Sequence, residues 1–332
     1  MFEECVIRER RFVPARFCAP LAGYTHCAFR RLVSDFGGCG AMWTEMLAAR
    51  QILHEDFATS TWLRRRPQEE GTVFQLMFRA GDAVEKILDR LRAHGVEAVD
   101  LNLACDNAQV RAQAAGSGLF DQPNEMRRIV EDARRHWPGL LMAKIRLGTE
   151  RPGWETVLGE RLRMLEEDGV DAVTVHPRFF EDKFRRRARL ELMPWLASLT
   201  RLPLIANGDL GSPAQVAEQA DQLRPACAIM IGRMAVVRPW LFAAWDQSQP
   251  VSVDYAEIWR TMFRYILEDF VPTVALRRIK MFTKYYAANF AFGHPFYIAV
   301  FYAPSVDAVR QLGEAFFARN PATVSVPTVA GL

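Results

Sequence analysis

Val99-Asp100-Leu101-Asn102-Leu103-Ala104-Cys105-Asp106 is the stretch that decides how this chain reads. A short apolar strand ends inside it, and an amide, a thiol and a carboxylate follow almost at once. In an eight-stranded β/α barrel the working site forms where the parallel strands end. A thiol placed there can deliver a proton to a ligand.

Outward from this stretch the same pattern repeats. Apolar strand cores fall near residues 17–20, 41–44, 72–76, 98–101, 141–145, 172–175, 204–206 and 228–231. Amphipathic helical segments lie between many of them, at 83–94, 124–136, 155–168 and 213–222. Gly95, Gly139 and Gly169 mark turns before the fourth, fifth and sixth strands. Eight strands alternating with helices predict an α/β fold, an eight-stranded TIM (β/α)8 barrel, with an open doubly wound sheet as the alternative because periodicity does not report closure. The connection over 51–70 is the least regular part. Beyond Trp245 the strands stop, and 253–270, 274–290 and 305–318 read as helices. This predicts a catalytic barrel over 1–247, a helical domain over 248–320 and a flexible tail over 321–332.

Composition sets the class. Of 332 residues, half are hydrophobic and 24% charged, which supports a packed core and argues against a disordered chain. The net charge of +3 permits an anionic partner without demanding one. Six scattered cysteines form no C-x-x-C pair, which argues against a zinc site or a dithiol motif. Free thiols predict a reducing, cytoplasmic setting. Met1-Phe2-Glu3-Glu4-Cys5 lacks the basic and apolar regions of a signal peptide. No apolar run is long and charge-free enough to span a membrane.

The predicted strand ends carry polar groups in a consistent way. They present Gln75, Asn102 with Cys105, Lys144 with Arg146, His176 with Arg178, Asn207-Gly208-Asp209 and Gly232-Arg233. A single histidine at a strand end is more often structural, and a single lysine in a strand usually snorkels. Their accumulation on one rim points to a ligand. Barrel loops after strands seven and eight commonly bind phosphate through backbone N–H groups. Gly208 and Gly232 allow close backbone approach there, and Arg233 adds charge. Gln75 and Asn102 suit the pyrimidine edge of an isoalloxazine ring, and Lys144 suits the negative charge of its reduced form. Pro20, Leu21 and Ala22 would form an apolar floor beneath it.

These residues resemble the tRNA-dihydrouridine synthase family over nearly the whole chain. The resemblance rests on Ala19-Pro20-Leu21-Ala22-Gly23-Tyr24-Thr25, Thr44-Glu45-Met46, Gln75-Leu76, Asp100 to Cys105, and Lys144-Ile145-Arg146-Leu147-Gly148. It continues through Thr174-Val175-His176-Pro177-Arg178, Ile205 to Asp209, and Met230-Ile231-Gly232-Arg233. The stretch Ala275-Leu276-Arg277-Arg278-Ile279-Lys280 is similar to the C-type bacterial members. The resemblance implies a barrel holding FMN, a helical domain that binds tRNA, and reduction of the C5–C6 double bond of uridine with NADPH or NADH. It implies FMN contacts from Pro20, Leu21, Ala22, Gln75, Asn102, Lys144, His176, Asn207, Gly208, Asp209, Gly232 and Arg233, and Cys105 as the proton donor to C5. The protein is expected as a monomer.

The chain departs from the family around its cysteine. Ala104 and Asp106 replace a glycine and a proline, and Gln109 and Gln113-Ala114-Ala115-Gly116 replace a more cationic, glycine-rich run. Ala104 adds a Cβ where a positive φ is expected. Asp106 is expected to raise the pKa of a thiol close by, keeping it protonated. Basic residues return nearby, with Arg178, Lys183, Arg185, Arg186, Arg187 and Arg189 in one cluster. Arg277, Arg278, Lys280 and Lys284 form another beside Tyr285 and Tyr286. Arg178, Arg185, Arg186, Arg187, Arg277, Arg278 and Lys280 are therefore expected to contact RNA. Two other readings remain: a flavin NAD(P)H oxidase or enone reductase on this scaffold that has lost tRNA uridine reduction, and a non-catalytic RNA-binding module.

Overall fold

The computed structural model describes residues 1–69, 71–247 and 251–329. Eight parallel strands form the centre: β1 (Arg16–Cys18), β2 (Ala41–Met42), β3 (Phe74–Met77), β4 (Ala98–Asn102), β5 (Leu140–Arg146), β6 (Ala172–His176), β7 (Leu204–Asn207) and β8 (Ala226–Ile231), with a ninth, two-residue segment, Leu47–Ala48, pairing in parallel with the end of β3. β3 through β8 lie in chain order, and β8 pairs with β1, which pairs with β2. The remaining gap, between β2 and β3, closes through Val73. Its N–H donates to the Met42 carbonyl at 2.8 Å, and its own carbonyl accepts from Thr44 N–H at 2.9 Å. The sheet is thus a closed barrel, which removes the open-sheet alternative.

β4, β5 and β6 are buried at every position, as parallel strands covered on both sides require. Register sets up the rim. Asn102 lies beside Lys144, and Arg146 lies beside His176. A hairpin of Cys5–Ile7 and Arg10–Phe12, too short to show in the pattern, caps the other end of the barrel. Its Ile7 is buried, Phe12 packs on Phe17 at 5.2 Å, and Arg8 donates to the carbonyls of Pro138 and Gly139.

Helix α1 (Cys27–Phe36) packs against α2 (Tyr255–Asp269), the first of four C-terminal helices; α3 (Pro272–Tyr286), α4 (Gly293–Tyr302) and α5 (Val306–Phe317) follow. Asp254 caps α2 by accepting from Glu257 N–H, and Ser305 caps α5 by accepting from Ala308 N–H. Trp259 of α2 donates to Thr283 Oγ1 of α3 at 3.0 Å and packs on Phe263, Phe296 and Phe317. One apolar cluster runs from the barrel into these helices. The boundary expected at 247/248 falls beside residues 248–250, outside the described residues.

The irregular connection over 51–69 is held by polar ties. Arg30 of α1 is wholly buried and pairs with Glu69 at 2.8 Å, while also donating to the carbonyls of Thr25 and Arg64. Arg64 and Arg66 reach Asp269 at the end of α2. The tail differs from the frayed end that the sequence suggests. Arg238 donates to the carbonyls of Val324 and Ser325, Ala291 N–H donates to Ala322, and Val324 N–H donates to Asn289. Residues 330–332 of that expected tail lie outside the described residues. Among the described residues no helix is long and apolar enough to cross a membrane.

Candidate active site

A cavity of about 1180 Å³ opens at the C-terminal ends of the strands. Pro20, Leu21, Ala22, Gln75, Asn102, Cys105, Lys144, His176, Asn207, Gly208, Asp209, Gly232 and Arg233 all line it. The strand-end residues singled out from sequence are therefore brought together.

At one side of the cavity, buried amides form a chain. Gln75 donates through Nε2 to Asp100 at 2.6 Å and accepts from Asn102 Nδ2 at 2.8 Å. Asn102 Oδ1 then accepts from the backbone N–H groups of Ala104 and Cys105, at 3.1 and 2.9 Å. The loop that carries the thiol thus hangs from a carboxylate buried in the barrel wall. Burial pushes Asp100 up to about 7 against the pull of Gln75 and Lys144.

Lys144 is buried, and its ammonium makes no hydrogen bond or ion pair among the described residues. Burial, with repulsion from Arg146, brings it down to about 7, while Asp100 pulls the other way. A buried cation facing a cavity without a partner calls for an anionic or acceptor ligand there.

Cys105 is half-buried. Burial raises its pKa, a hydrogen bond from the Asn107 backbone opposes this, and the Asp106 carboxylate adds to it. The thiol is therefore neutral at physiological pH, the form a proton donor needs. Asp106 is itself tied to Arg146 at 3.2 Å. Ala104 does not take a positive φ; the left-handed residue of this region is Ala114, at φ +51. Gly116 is also left-handed, and a Cβ there would meet the Cys105 carbonyl at 2.7 Å.

The far side is cationic. Arg178 donates to both oxygens of Asp209, at 2.7 and 2.6 Å, and to His176 Nε2 at 2.6 Å. Since arginine only donates, His176 is neutral with its proton on Nδ1. Burial and the surrounding Lys144, Arg146, Arg178 and Arg233 hold it well below its usual range. Burial raises the Asp209 carboxyl, but Arg178 and Arg233 outweigh it and hold it below the ordinary value. Asn207 donates to the Met230 carbonyl and ties β7 to β8. Gly208 has φ +125, and a Cβ would lie 2.7 Å from Ala188 Cβ and 2.8 Å from His176 Cδ2. At Gly232 a Cβ would make only ordinary contact with Ala19 and Leu21, at 3.7 Å.

The expected RNA contacts divide. Arg178 is buried and belongs to the cavity. Arg278 is held inward by Glu45 at 3.4 Å, and Lys280 donates to the Ala303 carbonyl. Arg186 pairs with Glu150. Arg185, Arg187 and Arg277 are exposed, with side chains unpaired among the described residues. Tyr24, Met46, Phe184, Tyr285 and residues 327–329 also line the cavity and were not expected there. Tyr285 was legible: Arg278, Met281 and Tyr285 share one face of α3 at helical spacing.

A parallel barrel with an amide-, ammonium- and guanidinium-lined cavity at its strand ends suits a ring-and-phosphate ligand of the kind a flavin oxidoreductase holds. The chain belongs to the dihydrouridine synthase family, whose model (Dihydrouridine synthase, Dus) matches residues 17–299. It is similar to a probable tRNA-dihydrouridine synthase of Helicobacter pylori, 29% identical over 229 residues and 68% of each chain. It is 30% identical over 230 residues to tRNA-dihydrouridine synthase B of Shigella flexneri, again over 68% of each. That relative is B-type, where the sequence suggested the C-type. The old yellow enzyme of Trypanosoma cruzi shares the fold, with a TM-score of 0.55 at 9% identity over 76% of this chain and 93% of that one.

Proposed function

We propose that this protein is a cytoplasmic, monomeric enzyme that reduces uridine to 5,6-dihydrouridine in tRNA, using FMN and NAD(P)H. The neutral Cys105 thiol on the rim of a cavity that also presents the unpaired Lys144 ammonium carries this reading.

The residues present fit the cofactor. Lys144, Gln75 and Asn102 would hold the pyrimidine edge, and Pro20, Leu21 and Ala22 the apolar face. Gly208, Gly232 and Arg233 would hold the phosphate, with His176, Asn207 and Asp209 shaping that end. Bound FMN, recharged by NAD(P)H, supplies hydride to C6 of the uracil. Cys105 holds the proton destined for C5 and gives it up as a general acid. The thiolate left behind is stabilised by Arg146 and Lys144, both of which favour its charged form. It regains its proton from solvent through the open mouth. The uridine must leave the RNA stack to enter this pocket. Arg185, Arg187 and Arg277 supply the exposed cations that hold the RNA backbone.

The test is anaerobic reoxidation of the reduced flavoprotein by unmodified tRNA. Cys105→Ala should keep the flavin spectrum and lose at least ~100-fold in the rate of tRNA-dependent reoxidation. Reoxidation by oxygen or a small enone, with none by tRNA, would instead establish the oxidase or enone-reductase reading.

A further inference from the structure

The cavity does not use the two sulfurs at the opposite end of the barrel. Cys5 Sγ in the N-terminal hairpin lies 3.6 Å from Cys227 Sγ at the start of β8. No other sulfur pair makes such a contact among the described residues. The remaining four cysteines are placed differently: Cys18 is buried in β1, Cys27 donates to Asp269, Cys39 to backbone carbonyls, and Cys105 sits on the cavity.

The position of the pair has a topological meaning. From β3 to β8 each strand neighbours the next in sequence, whereas β8 meets β1 across the length of the chain. That seam is held by Ile229 N–H donating to Ala15, by Ala19 N–H donating to Ile231, and by the register of Ile229 with Arg16. The hairpin leads straight into β1. A bond between residues 5 and 227 would therefore close the seam covalently and pin the hairpin that plugs the barrel.

We propose that Cys5 and Cys227 form a reversible redox pair whose disulfide locks the β8–β1 seam. The thiols are in contact, Cys5 buried and Cys227 only partly so, which leaves Cys227 as the side from which a small oxidant approaches the pair. Cys5 Sγ donates to Cys227 Sγ, so the two sulfurs already face each other. With hydrogen peroxide as oxidant, one of the two sulfurs, as thiolate, attacks one peroxide oxygen and the O–O bond breaks. One water leaves after protonation, giving a sulfenic acid. The other sulfur then attacks the oxidised one, the S–O bond breaks, and its thiol proton leaves with the oxygen as a second water. Two thiols are oxidised and one peroxide is reduced. The sulfurs must close to ~2.05 Å, a movement the short hairpin can supply. A thiol reductant reverses the step by exchange.

The experiment uses the full-length flavoprotein, treated with peroxide in stoichiometric excess and then denatured in alkylating agent. The expected result is a fall from six alkylatable thiols to four, with one cross-linked peptide pair containing Cys5 and Cys227. Because the loop closed is so long, thermal unfolding should rise by about 5 °C and return on reduction. Flavin content should not change, since the pair lies at the opposite end from the cavity. Cys5→Ser and Cys227→Ser should each keep the native melting temperature under reduction and lose the peroxide-induced rise. Six thiols surviving, a different linkage, or over-oxidation of either sulfur without the cross-link would overturn the proposal.

Discussion

Lys144 ties the chemistry of the cavity to pH. In the ligand-free protein it titrates near 7, because burial and Arg146 outweigh the pull of Asp100. A flavin that accepts a hydrogen bond from the ammonium favours the charged form and raises that pKa. Binding therefore takes up a proton whenever the pH exceeds about 7. The sign follows: affinity is level below about 7 and weakens as pH rises, approaching tenfold per unit until the pKa of the bound state. Fluorescence titration of deflavinated protein with FMN between pH 6.5 and 9 measures this, and Lys144→Met should show weaker binding with a flat profile. A flat profile in the unsubstituted protein would remove Lys144 from the flavin site. Much of this site was legible, because polar residues closing apolar strands announce a rim. Arg178, grouped with the RNA contacts by its basic neighbours, is buried beside His176 and tied to Asp209. The positive φ expected at Ala104 lies instead at Ala114, because a backbone angle in a loop has no pattern in sequence.

At the level of elements, the tail turns a surface feature into part of the site. Residues 327–329 line the cavity, and the Val329 carbonyl accepts from Arg233 Nη1 at 3.3 Å. Arg238 anchors the preceding residues through the Val324 and Ser325 carbonyls. Truncation after Asn320 should therefore weaken flavin retention several-fold, read as faster flavin loss on gel filtration. It should also lower stability by about 2 kcal/mol, since hydrogen bonds to a charged donor are lost. Unchanged flavin retention would show that the tail is packing alone. The sequence did not reveal this tail, because short polar segments that bind through backbone carbonyls leave no side-chain signature. Helix α4 escaped for the opposite reason. Gly293–Tyr302 is apolar nearly all round and carries Pro295, and Ile298, Phe301 and Tyr302 face solvent, so no amphipathic stripe marks it. The eight strands and the longer helices were legible because each buries a face at the spacing of its own geometry.

Across the whole molecule, the charge distribution separates two jobs that looked like one in the sequence. Of the basic groups near the mouth, Arg178, Arg233 and Arg146 are tied to acids at the cavity, and Arg278 joins the helices to the barrel through Glu45. Those charges serve the cavity and the helix junction rather than the outer surface. Lys183, Arg185 and Arg187, on the loop after β6, and Arg277, on α3, are exposed with no side-chain partner among the described residues, and Arg185 and Arg187 also stand on the cavity wall. An RNA strand that reaches both the loop after β6 and α3 would meet them together. If each of the three arginines contacts a phosphate, their triple replacement by alanine should reduce the slope of log affinity against log salt by about 2, with the flavin spectrum unchanged. Filter binding of unmodified tRNA between 50 and 300 mM salt reads this directly. Replacing Arg278 should behave differently, lowering the melting temperature through loss of the Glu45 tie while leaving the salt slope in place. An equal slope in the triple variant would place the RNA on another face of the molecule.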